Sequence, residues 1–513
     1  MISVTIERRL FGLGSRRGVV SVFGALALFT TLSWGLTSSD LQCSGKLERD
    51  IWQVWESNLR GVLLEELVRD RLKGRGDTYA LYDFQTYTHN LVSMARRCDR
   101  LERLREVAAL ITEAYASLEV GLRASSGRRW ICRGGASCTG GNGLLDTEVM
   151  LYSVQFLGVA ASVANAMATS RASLTQEDTI FIAETGKIAL EHLQRWSGES
   201  LIQSMLERAQ VVREEVKDGS STLLFTDKPL WEIGIYAEVA GALRTLGIKH
   251  RQALEISSSD WDRMRRHYSA LIRFFLARVS LRSLPTGSAL NGPVADLDRG
   301  YWRLYPDNRY AGYAGAEKPV LCTADRDGNL RPRSVVPLES VPLLSDAGWD
   351  ISHARRLVHV LDALERNRSA IGEIWGGAGS DVREATLSKA FATNLLVNVW
   401  NGDTEHPLFV NYWSGANGWY RVAWDNGTGQ CREGTPPFGL TASFPAGGYA
   451  TWSRYQPLIG RLGFRLYELF ESTKPTDVAF VERYYPDFVK TAKGKSAALG
   501  RLMFLPSLVA VGK

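Results

Sequence analysis

The chain has 513 residues, of which 45% are hydrophobic, and a formal net charge of +6. This length and hydrophobic content are sufficient for a large buried core. The charge is modest and no long basic run occurs, so nucleic acid is not expected as a partner.

The N-terminus has the order of an export signal, in which basic residues precede an apolar stretch. Residues 1–17 contain four arginines, and the apolar stretch runs from Gly18 to Trp34. Its length is near the lower limit for a membrane span, and no Ala-x-Ala cleavage pattern follows it. We therefore predict a cytoplasmic tail over residues 1–17 and a signal anchor over 18–36, with a cleaved signal peptide as the alternative. The rest of the chain would then lie in the periplasm or at the cell surface.

All six cysteines follow this segment, and an even number in an exported domain predicts disulfides. Cys132 and Cys138 flank a short loop and are expected to bond to each other. Elimination then leaves Cys322 with Cys431 and Cys43 with Cys98. No cysteine or histidine cluster has the spacing of zinc ligands, so neither a metal nor a cofactor is expected.

Apolar residues at helical spacing predict most of the first half of the chain to be helical. The predicted helices are 48–72, 79–97, 99–122, 144–170, 175–196, 199–217, 229–247 and 259–283. Residues 144–170 are almost free of charge after Glu148, which predicts an inner, buried helix. Thr175 has the sequence context of a helix N-cap.

The second half alternates between irregular and helical stretches. Residues 284–348 are rich in glycine, proline and tyrosine, and a stretch of this kind is usually functional or made of short strands. Helices are predicted at 352–367, 382–400, 455–472 and 477–490. Between them lies the aromatic segment 401–450, in which the alternation at 419–424 predicts a hairpin.

About a dozen helical segments in consecutive pairs, with apolar inner helices and long loops, resemble the six-hairpin (α/α) toroid. Many glycoside hydrolases, polysaccharide lyases and sugar epimerases use this architecture. The resemblance is architectural and covers roughly residues 48–490, leaving 491–513 as a C-terminal tail. It implies a mainly α fold, a closed (α/α)6 ring with a few short β-hairpins in long loops, and a site at one end of the ring.

Glycoside hydrolysis needs two carboxylates, one protonated and one ionised. Candidates should lie at helix starts beside glycine or aromatic residues, as do Asp146, Glu148, Glu232, Asp350, Asp403 and Glu405. A neighbouring indole desolvates a carboxyl group and raises its pKa, which favours Glu232 beside Trp231 and Asp350 beside Trp349. We predict Glu232 as the proton donor and Asp350 as the base, with Asp146 or Glu148 as replacements. Helix capping is the alternative role for Asp146 and Asp350.

Aromatic and polar residues near these acids are the predicted sugar-binding set. His353 shares a helix face with Asp350 and is suited to proton transfer, and Arg355 is suited to a carboxylate or sulfate. The full set is Trp231, Trp349, His353, Arg355, Asn411, Tyr412, Trp413, Trp419, Arg421 and Asp425. The alternative is that about half of the loop aromatics pack into the core, because alternate strand residues face opposite ways.

These features predict an extracytoplasmic glycoside hydrolase that acts on an oligo- or polysaccharide and is held at the membrane by its N-terminal segment. A second hypothesis is a lyase or epimerase acting on a uronic-acid polymer. In that enzyme Tyr412 or His353 would be the base, and Arg355 or Asn411 would neutralise the substrate carboxylate. A third hypothesis is a glycan-binding envelope component without catalytic activity.

Overall fold

A computed structural model describes residues 39–120, 127–212, 223–247, 254, 256–285, 290, 292–302, 305, 308–342, 344–376, 384–424, 431–489 and 495–511. The predicted tail 1–17 and anchor 18–36 lie outside the described residues, and so does Asp425. The described chain is mainly helical, as the sequence predicts, and its strands are short.

The helices follow one another along the chain with few strands between them. They are α1 (Lys46–Val54), α2 (Arg60–Val62), α3 (Tyr79–Arg97), α4 (Leu101–Tyr115), α5 (Met150–Ala168), α6 (Gln176–Trp196), α7 (Glu199–Gln210), α8 (Asp227–Leu246), α9 (Ser258–Arg278), α10 (Ile351–Ala354), α11 (Arg356–Arg366), α12 (Arg368–Ile374), α13 (Glu384–Asn394), α14 (Ser443–Ala446), α15 (Pro457–Glu471), α16 (Pro475–Tyr484) and α17 (Lys495–Phe504). Two π-helical stretches, Trp55–Leu59 and Leu63–Gly74, continue α1 and α2 as one rod. Thr175 caps α6 as predicted, since its side chain accepts from the backbone N–H of Asp178.

The described strands form antiparallel pairs. They are β1 (Glu119–Val120) with β2 (Arg128–Arg129), β3 (Val279–Ser283) with β4 (Pro293–Leu297), and β5 (Val320–Ala324) with β6 (Leu330–Ser334). The glycine- and proline-rich stretch 284–348 thus contains short strands, one of the two outcomes expected for it.

Helices α3, α5, α8 and α11 form the centre of the molecule and are called the inner helices below. α5 packs against α3 on one side and α8 on the other, and α8 packs against α11. Every residue of α5 after Met150 is buried. This helix is long and apolar enough to cross a membrane, but 94% of its most apolar stretch is buried inside the protein, as in a core helix.

The inner helices run in the same direction, because contacts join both their starts and their ends. At the starts, the Tyr79 and Tyr152 rings lie 5.3 Å apart. At the ends, Asn165 of α5 donates to Glu238 of α8 over 2.6 Å. Arg366 of α11 donates to the same carboxylate over 2.6 Å.

Polar contacts close the fourth side of this group, between α3 and α11, and we call this contact the α3–α11 seam. Arg356 donates to the hydroxyl of Tyr82 over 2.8 Å, and Arg96 donates to Asp362 over 2.9 Å. Between these two pairs, His89 stacks on His359 with ring centroids 3.7 Å apart. The closing of six hairpins into a ring around this centre stays a prediction.

All three expected disulfides are present: Cys132–Cys138, Cys43–Cys98 and Cys322–Cys431. Cys43, Glu48 and Cys98 lie close enough together to suggest a metal site, but both sulfurs are used in a disulfide. Three disulfides indicate that the protein folds in an oxidising, extracytoplasmic environment.

The predicted hairpin at 419–424 is met in part: Tyr420 forms an antiparallel bridge with Thr435, and the N–H of Ala423 donates to the carbonyl group of Arg432. One sequence-based expectation differs from the fold. The stretch 491–513, expected to be a tail, contains α17, which packs on α3. Arg97 extends this contact by donating to the carbonyl groups of Pro506 and Val509.

The packing of α5 on α8 depends on a glycine. A Cβ atom at Gly158 would lie 2.7 Å from the buried indole of Trp231. We expect Gly158→Ala to lower the free energy of unfolding by about 1–3 kcal/mol, because the ring has no space to move. Gly186→Ala in α6, where a Cβ meets nothing within 4 Å, is the matched control and should be neutral or stabilising. Denaturant unfolding of both variants measures the difference, and equal stability would contradict the packing described.

Candidate functional site

Asp350 and His353 form a hydrogen-bonded pair at the start of α10. The Nδ1 atom of His353 lies 2.6 Å from Oδ2 of Asp350. The other carboxylate oxygen of Asp350 accepts from the backbone N–H groups of Ser352 and His353 and from the Ser352 hydroxyl. Asp350 therefore caps the helix, as the alternative role predicts, and also orients the imidazole.

Asp350 is held as a carboxylate. Burial alone would raise its pKa, but the charge and hydrogen bond of His353, the hydrogen bond of Ser352 and the charge of Arg421 outweigh burial and hold the pKa well below its usual range. An ionised Asp350 accepts from a proton-bearing Nδ1, so Nε2 lies on the side of the ring away from the carboxylate.

The backbone around Asp350 is fixed by the aromatic segment. The N–H of Ile351 donates to the carbonyl group of Asn411 over 2.9 Å, and Asp350 forms an isolated bridge with Tyr412. Two indoles flank the imidazole, with the Trp302 ring centroid 5.5 Å away and the Trp349 centroid 6.2 Å away. Ser352, one of the two residues between Asp350 and His353, is half-buried and lies at the edge of this site.

Arg356 lies one helical turn beyond His353 and brings three inner helices together. It contacts Tyr82 of α3 over 2.8 Å and Asp227 of α8 over 3.3 Å. Its Nη1 also donates to the carbonyl group of Ser352. Its Nε is buried and has no hydrogen-bond partner among the described residues. A buried donor without a partner is costly, so this atom is suited to a ligand acceptor.

The tyrosines of this region belong to the starts of α3 and α5. Tyr79 and Tyr82 stack with centroids 5.2 Å apart, and Tyr152 meets both rings edge-on. The positive ends of the inner helices' dipoles meet here together with Arg356, a combination that favours an anionic ligand. We define the candidate site as Tyr82, Asp227, Asp350, His353 and Arg356.

Glu232 has the raised pKa expected of a proton donor, but its side chain faces α9 and not the candidate site. Burial raises its pKa from 4.5 to about 8. Its carboxylate faces α9, where Nε2 of His267 lies 3.5 Å away, and His267 in turn contacts the Tyr236 hydroxyl at 3.0 Å. Asp350 has different partners, so the structure does not bring the predicted donor and base into contact.

The other predicted acids lie outside the candidate site. Asp146 is exposed at a backbone φ of 61° and pairs with Arg133 over 2.7 Å. Glu148 pairs with Arg195 of α6 over 3.1 Å. Asp403 and Glu405 lie in an exposed turn. Each of these groups is solvated or held in an ion pair.

The loop aromatics are core residues, contrary to the expectation of a sugar-stacking surface. Their polar atoms bind inside the protein: Trp413 donates to the carbonyl of Ala295, Trp419 donates to that of Gly315, and the Tyr412 hydroxyl donates to that of Trp419. Asn411 likewise binds the backbone of Gly418, Pro436 and Leu440. Arg421 is buried with its guanidinium over Trp424.

The two tryptophans beside the predicted acids are also internal. Trp349 donates to the carbonyl of Phe225, and Trp231 stacks on His89. Arg355 is buried next to Thr86 of α3. Sequence reasoning missed Tyr82 and Asp227 because both lie on buried helix positions. Tyr82 has no distinct signal because α3 carries many polar residues, whereas Asp227 is an acidic residue at the start of the mostly apolar α8.

Comparison with protein-family models, curated proteins and solved structures gave no match.

Replacement of Glu232 by glutamine tests its internal role. The folded protein keeps Glu232 protonated to higher pH than the unfolded chain does, so it holds an extra proton between 4.5 and about 8. The free energy of unfolding should therefore fall as pH rises through that window and level off above it. Glutamine does not titrate, so the free energy of unfolding of Glu232→Gln should rise relative to that of wild type by up to about 1.4 kcal/mol per pH unit across this window.

Unfolding of both proteins in denaturant at pH 5, 7 and 9 measures this gain. Glu405→Gln, at an exposed side chain, is the control and should track wild type. A stability difference between Glu232→Gln and wild type that does not change with pH would contradict a protonated, buried Glu232.

Proposed function

We propose that this protein is an extracytoplasmic enzyme that transfers a proton on a uronic-acid polysaccharide, as a lyase or an epimerase. The observation that carries the proposal is the 2.6 Å bond between Asp350 and His353 beside Arg356. Anchoring by residues 18–36 stays a prediction.

The Asp350–His353 pair supports a general base. A buried carboxylate bound to Nδ1 fixes the ring and stabilises the imidazolium formed when Nε2 takes a proton. In a lyase, Nε2 would remove the proton at C5 of the uronate, a C4–C5 double bond would form and the C4–O bond would break. The leaving oxygen would take a proton from the Tyr82 hydroxyl or from water.

Arg356 and the inner-helix starts support an anionic substrate. Removal of the C5 proton places negative charge on the uronate carboxylate, and a fixed guanidinium stabilises that charge. The unpartnered Nε of Arg356 supplies a donor that is already desolvated. Tyr82 and Asp227 hold the guanidinium in place, so little reorganisation is needed during the reaction.

The hydrolase that the sequence favours has less geometric support. It needs two carboxylates across one cleft, whereas Glu232 faces His267 and Asp350 is saturated by hydrogen bonds. The binding-only hypothesis depended on an aromatic loop surface, and the aromatic side chains from Tyr412 to Trp424 are buried.

Variants of His353 test the proposal. We expect His353→Gln to lower kcat on a uronic-acid polymer by at least 100-fold, because the base is lost while the ring's volume is roughly kept. Ultraviolet absorbance of the unsaturated product measures a lyase, and NMR of the sugar configuration measures an epimerase. A panel of uronic-acid polymers should be acted on, and neutral glucans should not.

The matched controls are His406→Gln, at a half-buried histidine outside the candidate site, and Glu232→Gln. Both should keep wild-type turnover. Full activity in His353→Gln, or its loss in Glu232→Gln with the fold intact, would overturn the assignment.

A variant of Arg356 tests the substrate class. Arg356→Lys keeps the charge but cannot hold Tyr82, Asp227 and a substrate carboxylate with one planar group. We expect a loss of at least tenfold in kcat/KM for uronic-acid polymers. An unchanged kcat/KM would show that Arg356 does not contact the substrate.

A further inference from the structure

A polar cavity lies towards the opposite end of α3 from the candidate site. It has a volume of about 200 Å³ and lies between α3, α11, the 451–454 segment and residues 510–511. On α3, the candidate-site residue Tyr82 lies eight residues before Asn90, the first cavity residue, which corresponds to roughly 12 Å along the helix. The cavity is therefore separate from the Asp350–His353 pair.

The cavity wall is rich in positive charge. Arg96, Arg97 and Arg454 line it, and Asp362 is the acidic residue among its lining groups. Neutral hydrogen-bonding groups, Ser93 and Thr451 among them, complete the polar part of the wall. Arg454 is exposed, so the cavity opens to solvent at that side.

Asp362 does not neutralise this charge. It pairs with Arg96 over 2.9 Å, with Arg366 over 2.8 Å and with Arg454 over 3.2 Å, so three guanidinium groups share one carboxylate. Outside the cavity lining, Glu238 and Glu365 take up part of the charge of Arg366 and Arg454.

Arg97 contacts no carboxylate among the described residues, since its donors bind the carbonyl groups of Pro506 and Val509. Burial, followed by the like charge of Arg96, lowers its pKa to about 9. A guanidinium in this setting is stabilised by an added anion, and paired arginines are well suited to oxyanions because their donors match two oxygens at once.

We propose that this cavity binds an oxyanion of the phosphate class, either as the free ion or as a substituent of a sugar, between Arg96, Arg97 and Arg454. Ser93 and Thr451 supply further hydrogen bonds to the ion. The site is independent of the proposed enzymatic activity, because none of the candidate-site residues lines it.

Ser93 provides a sharp test, because it lies three and four residues before Arg96 and Arg97 on the same face of α3. Ser93→Asp would place a carboxylate where the ion binds, and Ser93→Asn is the matched control without charge. Isothermal titration of the full chain in detergent with inorganic phosphate should show binding to wild type and Ser93→Asn. Ser93→Asp should bind at least tenfold more weakly.

Arg454→Gln, at the exposed rim, gives a second variant that keeps the bonds of Asp362 to Arg96 and Arg366, and we expect it to weaken binding about tenfold. Titration with a hexose 6-phosphate distinguishes the sources. Tighter binding than inorganic phosphate supports a sugar substituent, and equal binding supports the free ion. Absence of binding of both compounds to wild type, or equal affinities in wild type and Ser93→Asp, would overturn the proposal.

Discussion

The α3–α11 seam is the constraint on which the rest of the structure depends. Charged groups buried at a helix contact must be paired, because an unpaired one costs several kcal/mol. Along α11, Arg356, His359, Asp362 and Arg366 recur every three or four residues, so one stripe of the helix carries the polar groups that face α3 and α8. If α11 shifted by one turn along α3, the Arg356–Tyr82 and Arg96–Asp362 contacts would both be lost.

The seam also fixes the candidate site. α10 and α11 are adjacent, and Ser352 connects them through its carbonyl bond to Arg356. The register that pairs Asp362 with Arg96 therefore also sets the position of His353. Asp350 has two functions in this arrangement, since it caps α10 and orients the imidazole. Capping and orientation of the imidazole are compatible, because one carboxylate has enough acceptor sites for both.

Local signals in the sequence were sufficient for much of the fold. The bounds of α3, the cap at Thr175 and the Cys132–Cys138 disulfide depend on periodicity, capping chemistry and spacing within a short stretch. Local signals could not predict which neighbouring helix the Glu232 side chain faces. Its neighbour Trp231 faces the seam, and a one-residue step along a helix turns Glu232 towards α9. The loop aromatics were also ambiguous, because a Trp with an internal carbonyl partner has the same local sequence as one that faces a sugar.

In the proposed reaction, His353 removes a proton from a uronate. The most direct measurement is incubation of a uronic-acid polymer with the protein in deuterated water, followed by NMR and mass spectrometry of the sugar. Deuterium at C5 or an unsaturated product, formed by wild type and absent with His353→Gln, is the predicted result. New reducing ends without exchange at C5 and without unsaturation would contradict the claim and would identify a hydrolase instead.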